Sequence, residues 1–348
     1  MPMRSARCAD KFVYCEILNL RLAYKTIIWP RISYDLPDQM RTKPMRIQQL
    51  PKFTCHLSAL VVLFFCANLS VAATGVIDFA VIQQQAEFAA AAYQPEDRVR
   101  DLVESKNYRL GLYHTIPDIQ MSFFLATNDS TKTQVIAVRG TANVENAMVD
   151  VALKLLTDEK TGARLHEGFS YAAKRVYAEL KPLFKVDYKI HVTGHSLGGA
   201  VALILAMYLD ADRFNIEQVI TFGQPKVTNL PGAMKIQHLN VIRVVTPGDL
   251  VPLVPPFDPL DIKNIDIYWH AGKEVILLDK NQYAVLEGAD SMLRATSFTQ
   301  KALSEENLNN HYMNIYLDRV RAKMKSPQLV PYRNSFNLFN LFGADPGS

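Results

Sequence analysis

Beyond residue 73, short apolar runs alternate along the chain with longer stretches whose apolar positions recur at helical spacing. Ile77 to Tyr93 is Ala-rich and predicts a helix closed by Pro95. Met121–Ala126 and Thr133–Val138 read as two strands around the turn residues Thr127-Asn128-Asp129-Ser130. Phe169 to Leu180 is an amphipathic helix stopped before Pro182. Tyr188 to Thr193 alternates as a strand does, and Gly198 to Leu209 is an apolar run of helical length. Further strands are predicted at Gln218–Phe222, Val241–Val245 and Glu274–Leu278, with a Pro-rich loop at Pro247–Pro259 and a late helix at Asn309–Lys323. Strands alternating with helices argue for an α/β domain with a largely parallel sheet over residues 74–348.

The front of the chain has a different pattern. From Phe53 to Ile77 there is no Asp, Glu, Lys or Arg, and the centre, Leu57 to Leu69, is strongly apolar. Arg46 and Lys52 precede it, and Ser70-Val71-Ala72-Ala73 closes it with small residues. That is the layout of a secretory signal, with an apolar centre shorter than the roughly 20 residues a spanning helix needs. The signal lies some way into the chain, so two expectations follow. Met45 is a start that makes 45–73 an ordinary signal peptide and 1–44 a non-native or disordered leader, and the protein is exported. Alternatively, Phe53–Ile77 is an uncleaved membrane anchor behind a basic tail.

Charge sharpens this division. Residues 1–52 hold ten Lys/Arg and four Asp/Glu, a net of +6, whereas 74–348 hold 28 basic and 30 acidic side chains, a net of −2. No basic stripe in the body argues for nucleic acid as a partner. Cys8, Cys15, Cys55 and Cys66 all precede residue 67, so neither a zinc-ligand spacing nor a disulfide framework is expected in the body.

The candidate chemistry begins at Gly194-His195-Ser196-Leu197-Gly198, a Gly-x-Ser-x-Gly pattern set between a predicted strand and a predicted helix. There a serine is held strained at a sharp turn, with room left by the glycines and helix N–H groups aimed beside its hydroxyl. A serine needs a base and a group to orient that base, and around this elbow the order is Ser, acid, His. Downstream, Asp249 follows the strand Val241–Val245, where α/β sites assemble. Asp258, Asp261 and Asp266 compete from the Pro-rich loop. His311, at the opening of the late helix, and His270, before a strand, are both candidates for the base, and His238 breaks the order.

Taken together these segments resemble the class 3 (fungal-type) lipases of the α/β-hydrolase fold, from about Ala86 to about Tyr316. The resemblance rests on Val138-Arg139-Gly140-Thr141, Leu165-His166-Glu167-Gly168-Phe169, Thr193–Ala200, Thr221-Phe222-Gly223-Gln224-Pro225-Lys226-Val227, Asp249-Leu250-Val251-Pro252, Trp269–Val275 and His311-Tyr312. It implies a mostly parallel central sheet flanked by helices, with a lid segment after Thr141. It also implies Ser196 as nucleophile, Asp249 as orienting acid and His311 as base, with His270 outside the triad and His195 and His166 structural. The oxyanion donors would be the N–H of Leu197 and Thr141. No metal or organic cofactor is implied.

Asn143–Thr157 carries one narrow polar stripe, Asp150, Lys154 and Asp158, in an otherwise apolar helical pattern. By the resemblance it is an amphipathic lid that touches a lipid surface transiently; by its pattern alone it is equally a core helix with one wet edge. The expected activity is hydrolysis of carboxylic esters of acylglycerol-like lipids, with Leu250 to Phe257 forming an apolar wall for an acyl chain. The rivals are a phospholipase A1 or another carboxylesterase with the same residues, an acyltransferase, and a non-catalytic lipid-binding module on the same fold. Tyr332–Phe342, with aromatic residues at helical spacing, is expected to pack as a helix end.

Overall fold

A computed structural model describes residues 77–140, 154–255, 267–295 and 309–332, all within one compact unit spanning 74–348. The leader, the run Phe53–Val76, Thr141 with most of the lid segment, Phe257, Asp258, Asp261, Asp266 and the aromatic tail beyond Tyr332 lie outside the described residues. Among the described residues no helix is long and apolar enough to cross a membrane.

In chain order the elements begin with α1 (Phe79–Ala91), opened by Asp78, whose carboxylate accepts from the N–H groups of Ala80 and Val81. Then come α2 (Glu96–Ser105), β1 (Arg109–Ile116), β2 (Met121–Asn128), β3 (Thr133–Val138), β4 (Leu155–Thr157), β5 (Arg164–His166) and α3 (Glu167–Leu180). They are followed by β6 (Lys189–His195), α4 (Leu197–Ala211), β7 (Ile216–Phe222), β8 (Thr228–Asn229), α5 (Leu230–Lys235) and β9 (Val241–Val245). The chain continues through a 3₁₀ turn at Val251–Leu253, β10 (Tyr268–Trp269), β11 (Lys273–Leu277), β12 (Gln282–Leu286), α6 (Gly288–Ala295), α7 (Met313–Arg321) and β13 (Gln328–Leu329).

Nine of these strands form one sheet in the order β1-β2-β3-β6-β7-β9-β11-β12-β13. Its middle, from β3 to β11, is parallel throughout, and antiparallel pairs enter only toward the edges. Strands inside such a sheet are covered on both faces and so read as continuous apolar runs. β3 and β9 are buried along their whole length, although Thr133 and Gln134 open β3 and Arg243 interrupts β9. A smaller antiparallel sheet, β10-β8-β5-β4, joins Leu155–His166 to the region before β11.

Side chains alternate across the sheet and divide the core in two. Val219 of β7 and Val241 of β9 face a cluster with α3 and α4. Their neighbours Ile220, Phe222, Ile242 and Val244 face α1 and α7. α4 is buried all round from Gly198 to Leu209, because it lies between the sheet and α3.

Three expectations need correction. The helical pattern of Asn143–Thr157 does not reach its end, since Leu155–Thr157 form β4 against β5. Asp158, expected on a polar stripe, is buried. It accepts from the N–H and hydroxyl of Thr161 and from the hydroxyl of Tyr208, and pairs with Lys174. The late helix begins at Met313 rather than Asn309, and His311 lies in the turn before it.

Candidate active site

β6, β7 and β9 end side by side, and the loops leaving their C-terminal ends meet there. β6 ends at His195, α4 starts at Leu197, and Ser196 alone makes the turn with φ 59° and ψ −132°. A non-glycine residue in that region costs about 1–3 kcal/mol and persists only where its surroundings hold it. Here its N–H donates to the Phe222 carbonyl at 2.8 Å, and its own carbonyl accepts from Gly199 and Ala200. The hydroxyl makes no cap bond, although Ser196 stands at the N-cap position. The elbow closes only because its glycines lack side chains. A Cβ on Gly194 would lie 2.4 Å from the Gly198 carbonyl oxygen, and one on Gly198 would lie 2.3 Å from that of Val138.

β9 leads to Asp249, which is fully buried. One carboxylate oxygen, Oδ1, accepts from the Val251 N–H at 2.8 Å and fixes the side chain on its own loop. The other, Oδ2, accepts from His311 Nδ1 at 2.7 Å and from the Tyr316 hydroxyl at 2.5 Å. With Nδ1 carrying the proton toward Asp249, His311 presents Nε2 as a lone pair. That atom is buried and has no hydrogen-bond partner. Thr246 Oγ1 donates to the Asn310 carbonyl at 3.1 Å and ties the acid loop to the histidine loop. Burial and the neighbouring Asp249 carboxylate push the Tyr316 phenol well above its usual value, so it stays a donor.

His195 links the elbow to this pair. Its Nε2–H donates to the His311 carbonyl at 2.7 Å, and its ring lies 4.6 Å from the His311 ring. Its Nδ1 then accepts from the Tyr93 hydroxyl at 2.7 Å, and that hydroxyl accepts from the Gly140 N–H at 3.1 Å. Burial, with His311 beside it, holds the His195 imidazole well below its ordinary value and therefore neutral. Burial pushes Tyr93 up to about 12. The chain of bonds runs from Gly140, the residue before Thr141, through Tyr93 just after α1 to His195 in the elbow and on to the histidine loop.

His270 and His166 are committed elsewhere. His270 is buried, held neutral by burial and by Arg243 and Lys226, and its Nε2–H donates to the Pro252 carbonyl at 2.7 Å. His166 caps α3, accepting from the Phe169 N–H through Nδ1 and stacking on the Phe169 ring at 3.9 Å. The structure thus brings Ser196, Leu197, Asp249 and His311 to one place and leaves His270 and His166 outside it; Thr141 lies outside the described residues. Of the expected acyl wall, Leu250, Val251, Leu253 and Val254 are buried, with Leu250 and Leu253 packed on Ala295. Among the described residues no group of three or more His, Cys, Asp or Glu side chains could hold a metal ion.

Sequence reasoning missed Tyr93, Tyr316 and Gly223. Gly223, with φ +58°, lies under the pair: a Cβ there would be 2.8 Å from His311 Cε1 and 2.9 Å from Asp249 Oδ2.

Residues 135–258 match the model of the family described as lipase (class 3). The chain is 35% identical to a secreted mono- and diacylglycerol lipase of Fusarium solani over 142 residues, 38% of this chain and 42% of that one. It is 27% identical to a chloroplastic phospholipase A1 of Arabidopsis thaliana over 145 residues, 37% of this chain and 20% of that one. Its matches span less than half the length of these curated relatives. Among solved structures, the mono- and diacylglycerol lipase of Aspergillus oryzae superposes with a TM-score of 0.57 at 24% identity, covering 70% of this chain and 99% of that one. That likeness, with the mostly parallel sheet, shows the α/β-hydrolase fold.

Proposed function

We propose, for a chain whose residues 135–258 carry the core of a class 3 lipase, that it is a serine hydrolase of carboxylic esters of acylglycerol-type lipids. The observation that carries the reading is the buried Asp249–His311 hydrogen bond, which leaves Nε2 unpartnered in the turn tied by His195 to a strained Ser196. In the mechanism, Ser196 Oγ attacks the ester carbonyl while His311 Nε2 takes its proton. Asp249 keeps the imidazole in the Nδ1–H tautomer and offsets the charge it gains. The N–H of Leu197 at the start of α4, and Thr141, receive the oxyanion. His311 returns the proton to the leaving alcohol, and water then repeats the sequence on the acyl-enzyme. His311 Nε2 makes no hydrogen bond to Ser196 Oγ in this structure, and in this mechanism that contact forms in the substrate complex.

The curated relatives named as secreted support export of this chain, with 45–73 as the signal and 74–348 as the working domain. The phospholipase A1 relative favours a second reading, a phospholipid ester as substrate with the same residues at work. Ser196→Ala is expected to abolish hydrolysis of p-nitrophenyl butyrate while the circular-dichroism spectrum stays native; retained turnover would overturn the mechanism. A panel of triglyceride, diglyceride and phosphatidylcholine separates the two substrate readings. If the part of Asn143–Thr157 that precedes β4 is a lid that docks on lipid, activity jumps as the substrate passes from monomers to droplets. A smooth saturation curve would rule out that lid.

A further inference from the structure

A buried cluster next to the Asp249 loop takes no part in the mechanism above. Lys226, Arg243, Glu274 and Arg294 are all buried, with His270 and Ser291 among them. Glu274 is the one carboxylate in this group. It pairs with Arg294, accepts from Ser291 and lies 3.9 Å from Arg243. Burial by itself would raise its carboxyl, but Arg294 and Arg243 hold it below the usual range. Arg243 in turn donates to the Ala271 carbonyl and to Ser291.

Lys226 is spent differently. Its Nζ donates to the carbonyls of Leu253 at 2.5 Å and Pro255 at 2.8 Å, and its backbone N–H donates to Val254 at 2.8 Å. His270 Nε2–H takes the remaining carbonyl, that of Pro252. Four successive carbonyls, 252 to 255, are therefore held by two residues. The loop has two prolines in those four positions and cannot answer its carbonyls with a strand ladder, so donors must come from outside. Keeping a lysine buried beside two arginines is costly. Burial, with Arg243 and Arg294 adding to it, pushes the Lys226 ammonium down to about 7. The neutral amine still donates, so the contacts outlast that titration.

We propose that Lys226, assisted by His270, is a positioning residue that clamps Pro252–Pro255 and so fixes Asp249 against His311. The link is short: Asp249 Oδ1 is bound to the Val251 N–H, one residue before the clamped run, and Leu253 N–H returns to the Leu250 carbonyl at 2.9 Å. The proposal rests on the hydrolase reading given above. A small displacement of an orienting group costs up to about a hundredfold in rate without touching substrate affinity.

The test uses the full chain with p-nitrophenyl butyrate, rates being normalised to sites titrated by a p-nitrophenyl phosphonate. Lys226→Met is expected to lower kcat about 10- to 100-fold with KM within about threefold. Lys226→Arg, which keeps the donors, restores most of the rate. His270→Leu lowers kcat less, and the double variant loses less than the two effects combined. A folded Lys226→Met enzyme with wild-type kcat per titrated site, or one whose loss lies in KM alone, overturns the clamp. If Lys226→Met does not fold, an unchanged kcat per titrated site in His270→Leu overturns it instead. Turnover surviving in Ser196→Ala defeats the hydrolase reading and the clamp with it, whereas an inactive Ser196→Ala beside an unaffected Lys226→Met defeats the clamp alone.

Discussion

At Asp249 three donors converge on one buried carboxylate: the Val251 N–H, His311 Nδ1 and the Tyr316 hydroxyl. A carboxylate so held stays in one orientation, which a base-orienting group requires. Tyr316 shares Oδ2 with His311, so it sets where that oxygen lies. Tyr316→Phe is expected to lower kcat about tenfold with KM nearly unchanged, on the scale of one hydrogen bond to a charged group. Steady-state kinetics check this, and a change confined to KM would place Tyr316 in substrate binding instead. Ser196 could be named from its local pattern, whereas Asp249 and His311 were preferred to Asp258, Asp261, Asp266 and His270 by the family resemblance. Tyr316 and Tyr93 were not legible. Their partners lie 67 and 102 residues away, and an aromatic residue on an amphipathic helix reads as core until the fold is known.

Among the elements, β3 and β9 match the expected bounds, because strands buried on both faces are mostly apolar even though β9 carries the buried Arg243. β1 was missed for the opposite reason. It is an edge strand with mostly exposed or half-buried positions and mixed polarity. The end of Asn143–Thr157 misled because Leu155 is buried by pairing with β5, a long-range contact that helical periodicity cannot report. The start of α3 carries its own pH dependence. Burial pushes the His166 imidazole down to about 4 while it caps the helix, and the unfolded side chain titrates near 6.5. As pH falls the unfolded chain takes the proton first. Stability is therefore intact above 6.5 and drains away toward 4. His166→Asn keeps a capping acceptor but removes that titration. Its loss of unfolding free energy between pH 7 and 4 should be about 3 kcal/mol smaller than the wild type's. Equal losses in urea unfolding at the two pH values would refute the assignment.

Across the whole molecule, the parallel centre of the sheet gathers the loops after β6, β7 and β9 at one end, and the elbow, Gly223 and the acid loop come from those three strands. The alternation of strands and helices made this α/β layout legible in the sequence. The nine-strand order was not, since it depends on pairings such as β9 with β11 and β12 with β13 that no local pattern encodes. Export, the lid and the lipid substrate are proposals attached to this scaffold, and each stands or falls without changing the fold. The central claim is that Ser196 is a nucleophile activated by His311. It is tested most directly by treating the protein with a p-nitrophenyl phosphonate ester and mapping the adduct by peptide mass spectrometry. One equivalent of p-nitrophenol released, with the phosphonyl group on Ser196 and no labelling in His311→Ala, is the predicted result. Ester hydrolysis in a protein left unlabelled at Ser196, or labelling that persists without His311, would contradict it.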